Sequence, residues 1–399
     1  MELIPGLRRI PPPDLAAVGQ DEDLARRIRD EIHRDGPITF DRFMDLALYD
    51  PDGGYYRSSE ARPGRGGDFL TAPETHPIFG ATLARVFDEI WQRLGRPSRF
   101  VIREHGAGEG ALAASILSGL RASGSGLAET VRYQPVEVDP RRVETFMDRL
   151  GAAGFGAAVE PPDGTPITGV VLANEVLDAL PVHRVVQRGV ELLEVRIGVR
   201  DDRFVDVETA PSTPELFVRL AAEGITLADG QQAEICLALD GWVSQAAAEL
   251  ARGVLLLIDY GYPAVDLYDP VRRRDGTLRA YVRHRVHDDP YVHVGRQDLT
   301  AHVDVDAVQR AATEAGLTHL GTTTQAEFLV GLGMDQRLRE IQSDPATTME
   351  AYLAVRSAVM RLLDPAAMGR FRVLAFGRDW PGGPDARPLV GFDYRVRCR

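Results

Sequence analysis

Residues 99–114, RFVIREHGAGEGALAA, decide how the rest of the chain is read. Phe100, Val101 and Ile102 make the short apolar run of a buried strand, and three glycines follow at alternate positions, Gly106, Gly108 and Gly110. An alanine-rich apolar segment then predicts a helix. Glycine in a strand-to-helix turn permits a tight reversal and lets a ligand approach the backbone, while the free N–H groups of the helix point at that ligand.

Two cofactors compete for this turn. Gly106-x-Gly108-x-x-Ala111 fits the dinucleotide fingerprint. Glu104-x-Gly106-x-Gly108-x-Gly110 fits the acidic turn of S-adenosylmethionine (SAM) methyltransferases, and an ordinary strand–helix turn would carry the same glycines without a ligand. Glu104 favours SAM, because a carboxylate two residues before the first glycine repels pyrophosphate but can face the cationic methionine end. The turn thus places Glu104, Gly106, Ala107, Gly108 and Gly110 in the cofactor site.

The chain has 399 residues, enough for one core with large additions or for two domains. With 44% hydrophobic and 26% charged residues it has ordinary globular composition, and a net charge of −13 argues against nucleic acid as a partner. Every non-histidine basic side chain is arginine, since the sequence contains no lysine. Cys236 and Cys398 are too few and too scattered for a disulfide framework or a zinc site. No apolar run reaches the roughly 20 residues that span a bilayer. The N-terminal MELIPGLRRIPPPDL lacks a secretory apolar region, so a cytoplasmic location and no membrane insertion are expected.

Elsewhere strand and helix alternate. Leu24, Ile28 and Ile32 recur at helical spacing, and Thr39 is placed to cap a helix through Leu48. The stretch RPGRGGDFLTAPETHPIFG reads as a long loop, whose Asp68, Thr71 and Glu74 either contact the ligand or cap local turns. A second strand is expected over Tyr133–Val138, putting Glu137 and Val138 at its tip, where a doubly wound fold carries its ribose-hydroxyl acceptor; Asp139 reads as a helix cap. Val170–Leu172 predict a buried strand ending in Asn174 and Glu175. Asp178 follows Glu175 by three, so a helical turn starting there would put both carboxylates on one face, fit to hold a guanidinium or simply to favour a helix N-terminus. Residues 182–208 alternate as a three-stranded meander, helices are expected at Pro214–Ala222 and Gly241–Arg252, and the apolar run into Asp259–Tyr260 is another strand tip. Residues 266–304 are polar, with His284, His287, His293 and His302 lacking metal-ligand spacing, and read as a cap; no metal is expected.

The blocks ITFDRFMDLALYDPDGGYY, GRGGDFLTAPE, EHGAGEGAL, VEVDP, LANEVLDALPV, LLIDYGY and GTLRAYVRHRVHDDPYVHVGRQDLTAHVD span about residues 37–305. In this order they resemble the MidA/NDUFAF7-type family of SAM-dependent methyltransferases, the former DUF185 group. His105, Ala107, Glu109 and Ala111 depart from that family's usual E-x-G-P-G-R-G-T-L, and Asp139 from its common serine. The resemblance implies an α/β, Rossmann-like class I methyltransferase sheet with SAM as cofactor and S-adenosylhomocysteine as product. It also implies an N-terminal arm and helical cap over 1–95 and a core over 96–399, with insertions at about 182–240 and 263–304 forming a substrate-side cap.

Mitochondrial members resemble protein arginine methyltransferases acting on a respiratory complex I subunit. The implied reaction is in-line methyl transfer to a protein arginine, with Glu175, Asp178, Asn174 and Tyr260 as the catalytic set and a protein or peptide as partner. Methylation of a small-molecule or peptide natural product, and a non-catalytic SAM-binding assembly factor, stay open as alternatives. A dimer is the candidate oligomer.

Overall fold

The computed structural model of the protein describes residues 18–58, 71–382 and 387–394. Helices α1 (Glu22–Asp35) and α2 (Phe40–Tyr49) lead. The strands follow as β1 (Phe100–His105), β2 (Val131–Val136), β3 (Ile167–Asn174), β4 (His183–Arg188), β5 (Glu191–Arg200), β6 (Arg203–Thr209), β7 (Gln232–Ile235) and β8 (Leu250–Asp259). After them come β9 (Gly261–Tyr262), β10 (Arg279–Val282), β11 (Arg285–His287), β12 (Asp298–Thr300), β13 (Val303–Asp304), β14 (Thr318–Thr324) and β15 (Arg372–Arg378).

The main sheet has the order β14-β15-β8-β3-β1-β2. Its β8, β3, β1 and β2 are parallel, and β15 and β14 close one edge antiparallel. A single parallel bridge, Tyr133 to Val159, extends the other edge. This is the class I methyltransferase pattern, and its reason is legible: β1 is buried along all six residues, as a strand covered on both faces must be. One face packs on Phe79, Leu83 and Phe87 of the helix Ile78–Arg93 and on Ile116 and Leu120 of the helix Ala111–Ala122; the other packs on Val243, Ala247, Val308 and Ala312.

The second strand stops two residues earlier than its alternation suggests. Gly106 N–H donates to Val136 O at 2.9 Å, so the glycine turn takes the strand's last carbonyl and Glu137 begins the loop. The meander gains a fourth strand, in the order β6-β5-β4-β7, because Gln232–Ile235 returns to pair with β4. The expected helix over Gly241–Arg252 lies instead at Ala238–Ala248; Leu250 already belongs to β8, whose apolar run outcompetes helix propensity. Within 266–304, a three-stranded sheet β11-β10-β12 stands where only a polar cap was expected.

The N-terminal helices pack against these inserted strands. Leu24, Ile28, Phe40 and Phe43 share a core with Ile197, Phe204, Ala280 and Leu299. Phe43 meets Phe204 and Tyr291 edge-on at 5.5 and 5.4 Å, and Ile38 and Ile197 exchange backbone hydrogen bonds. This packing holds α2 over the carboxyl ends of the parallel strands, where open α/β sheets bind ligands.

Candidate active site

A cavity of about 370 Å³ opens at the tips of β1, β2 and β3. Of the residues read as cofactor contacts, Glu104, Gly106, Ala107, Gly108, Glu137, Val138, Asn174 and Thr71 line it, and so does Glu175. Asp68 lies outside the described residues. Gly110, Asp178 and Tyr260 are not in its lining.

The glycines do different work. Gly106 has φ +64°, and a Cβ there would meet a Val176 methyl at 2.8 Å, so the turn after β3 presses directly on the turn after β1. Gly110 has φ +81° at the head of the helix Ala111–Ala122, and a Cβ would fall 2.7 Å from Leu150 and 2.9 Å from Phe146. Gly110 therefore belongs to helix packing rather than to the cavity wall.

Glu104 is buried, and its Oε2 accepts the Tyr133 hydroxyl at 2.6 Å. Burial raises its carboxyl to about 8 against the pull of that hydrogen bond, and the Glu137 charge raises it further. Glu137 closes the turn: Oε2 accepts Gly108 N–H at 2.8 Å and Oε1 accepts Val138 N–H at 2.7 Å. Asn174 gives its amide to Glu175, and its Oδ1 is buried without a hydrogen-bond partner. A buried, unfilled acceptor beside a cavity is a place for a ligand N–H.

The expected helical turn at Glu175 does not form. Glu175 takes φ +54°, and a 3₁₀ turn starts only at Leu177 and covers Leu177–Ala179. Asp259 imposes this path. Its Oδ2 accepts the N–H groups of Val176 and Leu177 at 3.0 and 2.8 Å, and its Oδ1 accepts Tyr260 N–H at 2.8 Å. Glu175 is thereby swung toward the residues before the first long core helix, where its Oε1 accepts Ala72 N–H at 3.0 Å; Oε2 has no partner among the described residues. Burial, opposed by the Ala72 hydrogen bond and reinforced by the Asp259 charge, raises Glu175 to about 8.

Asp178 sits behind the cavity, 6% exposed, and its carboxyl is pushed well above the usual range by burial and then by Asp259, Asp298 and Glu175. Tyr260 lies against Phe371, with ring centroids 3.8 Å apart, and parallel to His302. Burial and the nearby Glu175 and Asp178 charges keep its phenol protonated.

Lining residues outside the sequence-based set include Tyr49, Tyr56, His105 and Trp242. Tyr49 and Tyr56 stack at 5.5 Å; Tyr49 donates to Ala179 O at 2.9 Å and Tyr56 to Asp298 Oδ1 at 2.8 Å. Their signal was the aromatic-rich end of α2 and the GGYY that follows it. Away from the cavity, Glu223, Asp304 and Asp306 lie together, but Arg310 pairs with Glu223 and backbone amides engage the other two.

Residues 82–323 match the S-adenosyl-L-methionine-dependent methyltransferase family. The crystal structure of a COG1565 superfamily member from Burkholderia thailandensis bound to S-adenosyl-homocysteine superposes with TM-score 0.86 at 37% identity, covering 96% of this chain and 98% of that one. The protein arginine methyltransferase NDUFAF7 homolog of Drosophila melanogaster is 30% identical over 92% of this chain and 88% of its own length. Human NDUFAF7, bearing the same arginine methyltransferase name, is 28% identical over 88% and 82%. This chain belongs to the MidA/NDUFAF7-type family of SAM-dependent methyltransferases, and SAM is its cofactor.

Gly110→Ala is expected to lower stability by about 1–3 kcal/mol through overpacking against Leu150 and Phe146, while the folded fraction keeps its affinity for S-adenosylhomocysteine; chemical denaturation with calorimetric titration checks both. If the ionised form of Glu104 faces the cationic end of SAM, SAM affinity should rise with pH between about 6 and 8, by at most about tenfold per unit. Glu104→Gln should flatten that rise. A flat wild-type profile would remove Glu104 from contact with the cationic end.

Proposed function

We propose that this methyltransferase modifies a guanidinium nitrogen of an arginine side chain in a protein. The observation that carries the reading is the group of buried carboxylates where β3, β8 and β12 meet: burial raises Asp178, and the Asp259, Asp298 and Glu175 charges raise it further. Carboxylates enclosed together resist ionisation until a cation joins them. A guanidinium brings a permanent charge and five N–H donors in a planar fork that matches carboxylate geometry. The names of the curated relatives support the same acceptor.

The roles divide by what each carboxylate has left to offer. Asp259 spends both oxygens on backbone amides and is a positioning residue. Glu175 has a free oxygen at the cavity wall, and Asp178 stands behind it; together they hold the guanidinium and favour attack by one nitrogen. Glu104, the glycine turn and Glu137 hold the cofactor, whose contribution is a methyl group on a positively charged sulfur. Bound SAM would supply its methyl to the nitrogen lone pair and leave as S-adenosylhomocysteine, and Glu175 would take the nitrogen proton. A carboxyl raised to about 8 is a better proton acceptor than an ordinary one once ionised. Tyr260 packs on Phe371 outside the cavity lining.

Acid hydrolysates of lysate proteins labelled from methyl-tritiated SAM should contain labelled methylarginine; label confined to small molecules would sink the arginine reading. Glu175→Gln should lower turnover about 10²-fold or more with S-adenosylhomocysteine affinity retained, and abolish the rise of kcat/KM toward pH 8. For Asp178 the folded carboxyl is raised, so its ionisation destabilises the fold progressively as pH climbs above the unfolded value. Asp178→Asn should therefore raise the melting temperature by a few degrees at pH 8, with less gain at pH 5, while raising KM for the acceptor. A melting temperature that falls at both pH values would show that Asp178 is structural.

A further inference from the structure

The chain carries a net charge of −13, yet beside the buried carboxylates stand three arginines, Arg370, Arg273 and Arg279, of which only Arg279 has a carboxylate partner among the described residues, the exposed Asp288. Arg370 ends the 3₁₀ turn Met368–Arg370, and its exposed side chain makes no hydrogen bond or ion pair with any described residue. Its turn is fixed at the site on both sides: Thr75 donates to the Met368 sulfur at 3.8 Å, and Phe371 lies on Tyr260. Arg273 donates to Nδ1 of His302 at 3.0 Å and sits 4.3 Å above the Tyr262 ring. His302 has to accept from Arg273, so it is neutral, and burial followed by Arg273, Arg370 and Arg279 holds it down to about 3. It supplies no counter-charge.

The strand β10 links this group to the pocket. In the antiparallel register Tyr281 stands opposite Asp298 and Arg279 opposite Thr300, two residues along on the same face. Burial raises the Tyr281 phenol, Asp178 and Asp298 raise it further, and Arg279 and Arg370 oppose them. Carboxylates and guanidinium groups thus both act on this one strand. Arg279 has only a long contact, 3.4 Å, to the exposed Asp288. A bare acidic hole would attract any cation, including lysine-rich and arginine-rich segments; a basic rim repels those and admits a single cation set among anions.

We propose that Arg370, Arg279 and Arg273 form a selective rim for an acidic peptide segment, so that the side chain methylated is an arginine flanked by aspartate or glutamate. This rests on the arginine reading above, and it adds the sequence surroundings of the acceptor.

The test uses the full-length protein saturated with S-adenosylhomocysteine and two fluorescent peptides of equal length. Each carries one central arginine, one with Asp and Glu flanks and the other with Lys and Gln flanks. By anisotropy at low salt the acidic-flank peptide should bind at least about tenfold more tightly, a preference that fades as salt rises. Arg370→Glu should erase the preference at an unchanged melting temperature, and Arg370→Lys should keep it. With SAM, the same preference should appear in KM for transfer and leave kcat little changed.

Equal binding of the two peptides, or a preference that survives Arg370→Glu, overturns the rim. Equal KM for both peptides with methylarginine formed does the same and leaves the arginine acceptor standing. Arg370-dependent binding of the acidic peptide with transfer to neither supports the rim and removes the arginine acceptor.

Discussion

The site is organised by one carboxylate, that of Asp259, shared among three backbone amides. Burial of an aspartate costs several kcal/mol unless its oxygens are satisfied, and here Val176, Leu177 and Tyr260 satisfy them. The bonds tie the ends of β3 and β8 together at a level where sheet hydrogen bonding has run out. They also select the path of the chain past Asn174, with Glu175 in the left-handed region and a helical turn delayed until Leu177. Val176, carried along by that path, presses on Gly106. The glycine turn and the Glu175 and Asp178 carboxylates are thus set in register by a residue that does not line the cavity.

Stability and proposed activity pull on the same atoms. Glu104, Glu175 and Asp178 are each raised by burial, so at neutral pH and above the free protein carries ionisable groups that its fold would rather keep neutral. Surface ion pairs such as Arg26–Asp23 and Arg34–Asp35 add little in return. What holds the acids in place is the packing around them, from Phe371 on Tyr260 to the Tyr49–Tyr56 stack. A site of this kind resembles a drawn spring: ligands bearing positive charge release it.

Much of this was legible in the residues. Of the parallel strands, β1, β3 and β8 announced themselves as apolar runs, and Gly106, Gly108 and Glu137 line the cavity at the strand tips. What failed to show was anything set by a partner distant in sequence. Gly110 looks like its neighbours until Leu150 and Phe146 are packed on it. The i, i+3 spacing of Glu175 and Asp178 suggested a shared helix face, but Asp259, more than eighty residues on, outbids local helix propensity for the amides of Val176 and Leu177. Tyr49 and Tyr56 sit in a segment whose own pattern speaks only of an amphipathic helix and a glycine turn. The β7 and β10–β12 strands are too short for periodicity to register, and exist because longer neighbours offer them edges.

The hydrogen bond from Tyr56 to Asp298 joins residues 242 positions apart. On the ribosome, that separation sets a timetable. The amino-terminal helices emerge first with Leu24, Ile28, Phe40 and Phe43 exposed, and their core partners Ala280 and Leu299 are translated only after the parallel strands β1, β2, β3 and β8. At about 5–20 residues per second the interval amounts to tens of seconds. During it the nascent chain holds the parallel strands but lacks part of the surface on which α1 and α2 pack. The helical pair can meet Ile197 and Phe204 early, but its core is completed only when Ala280 and Leu299 arrive.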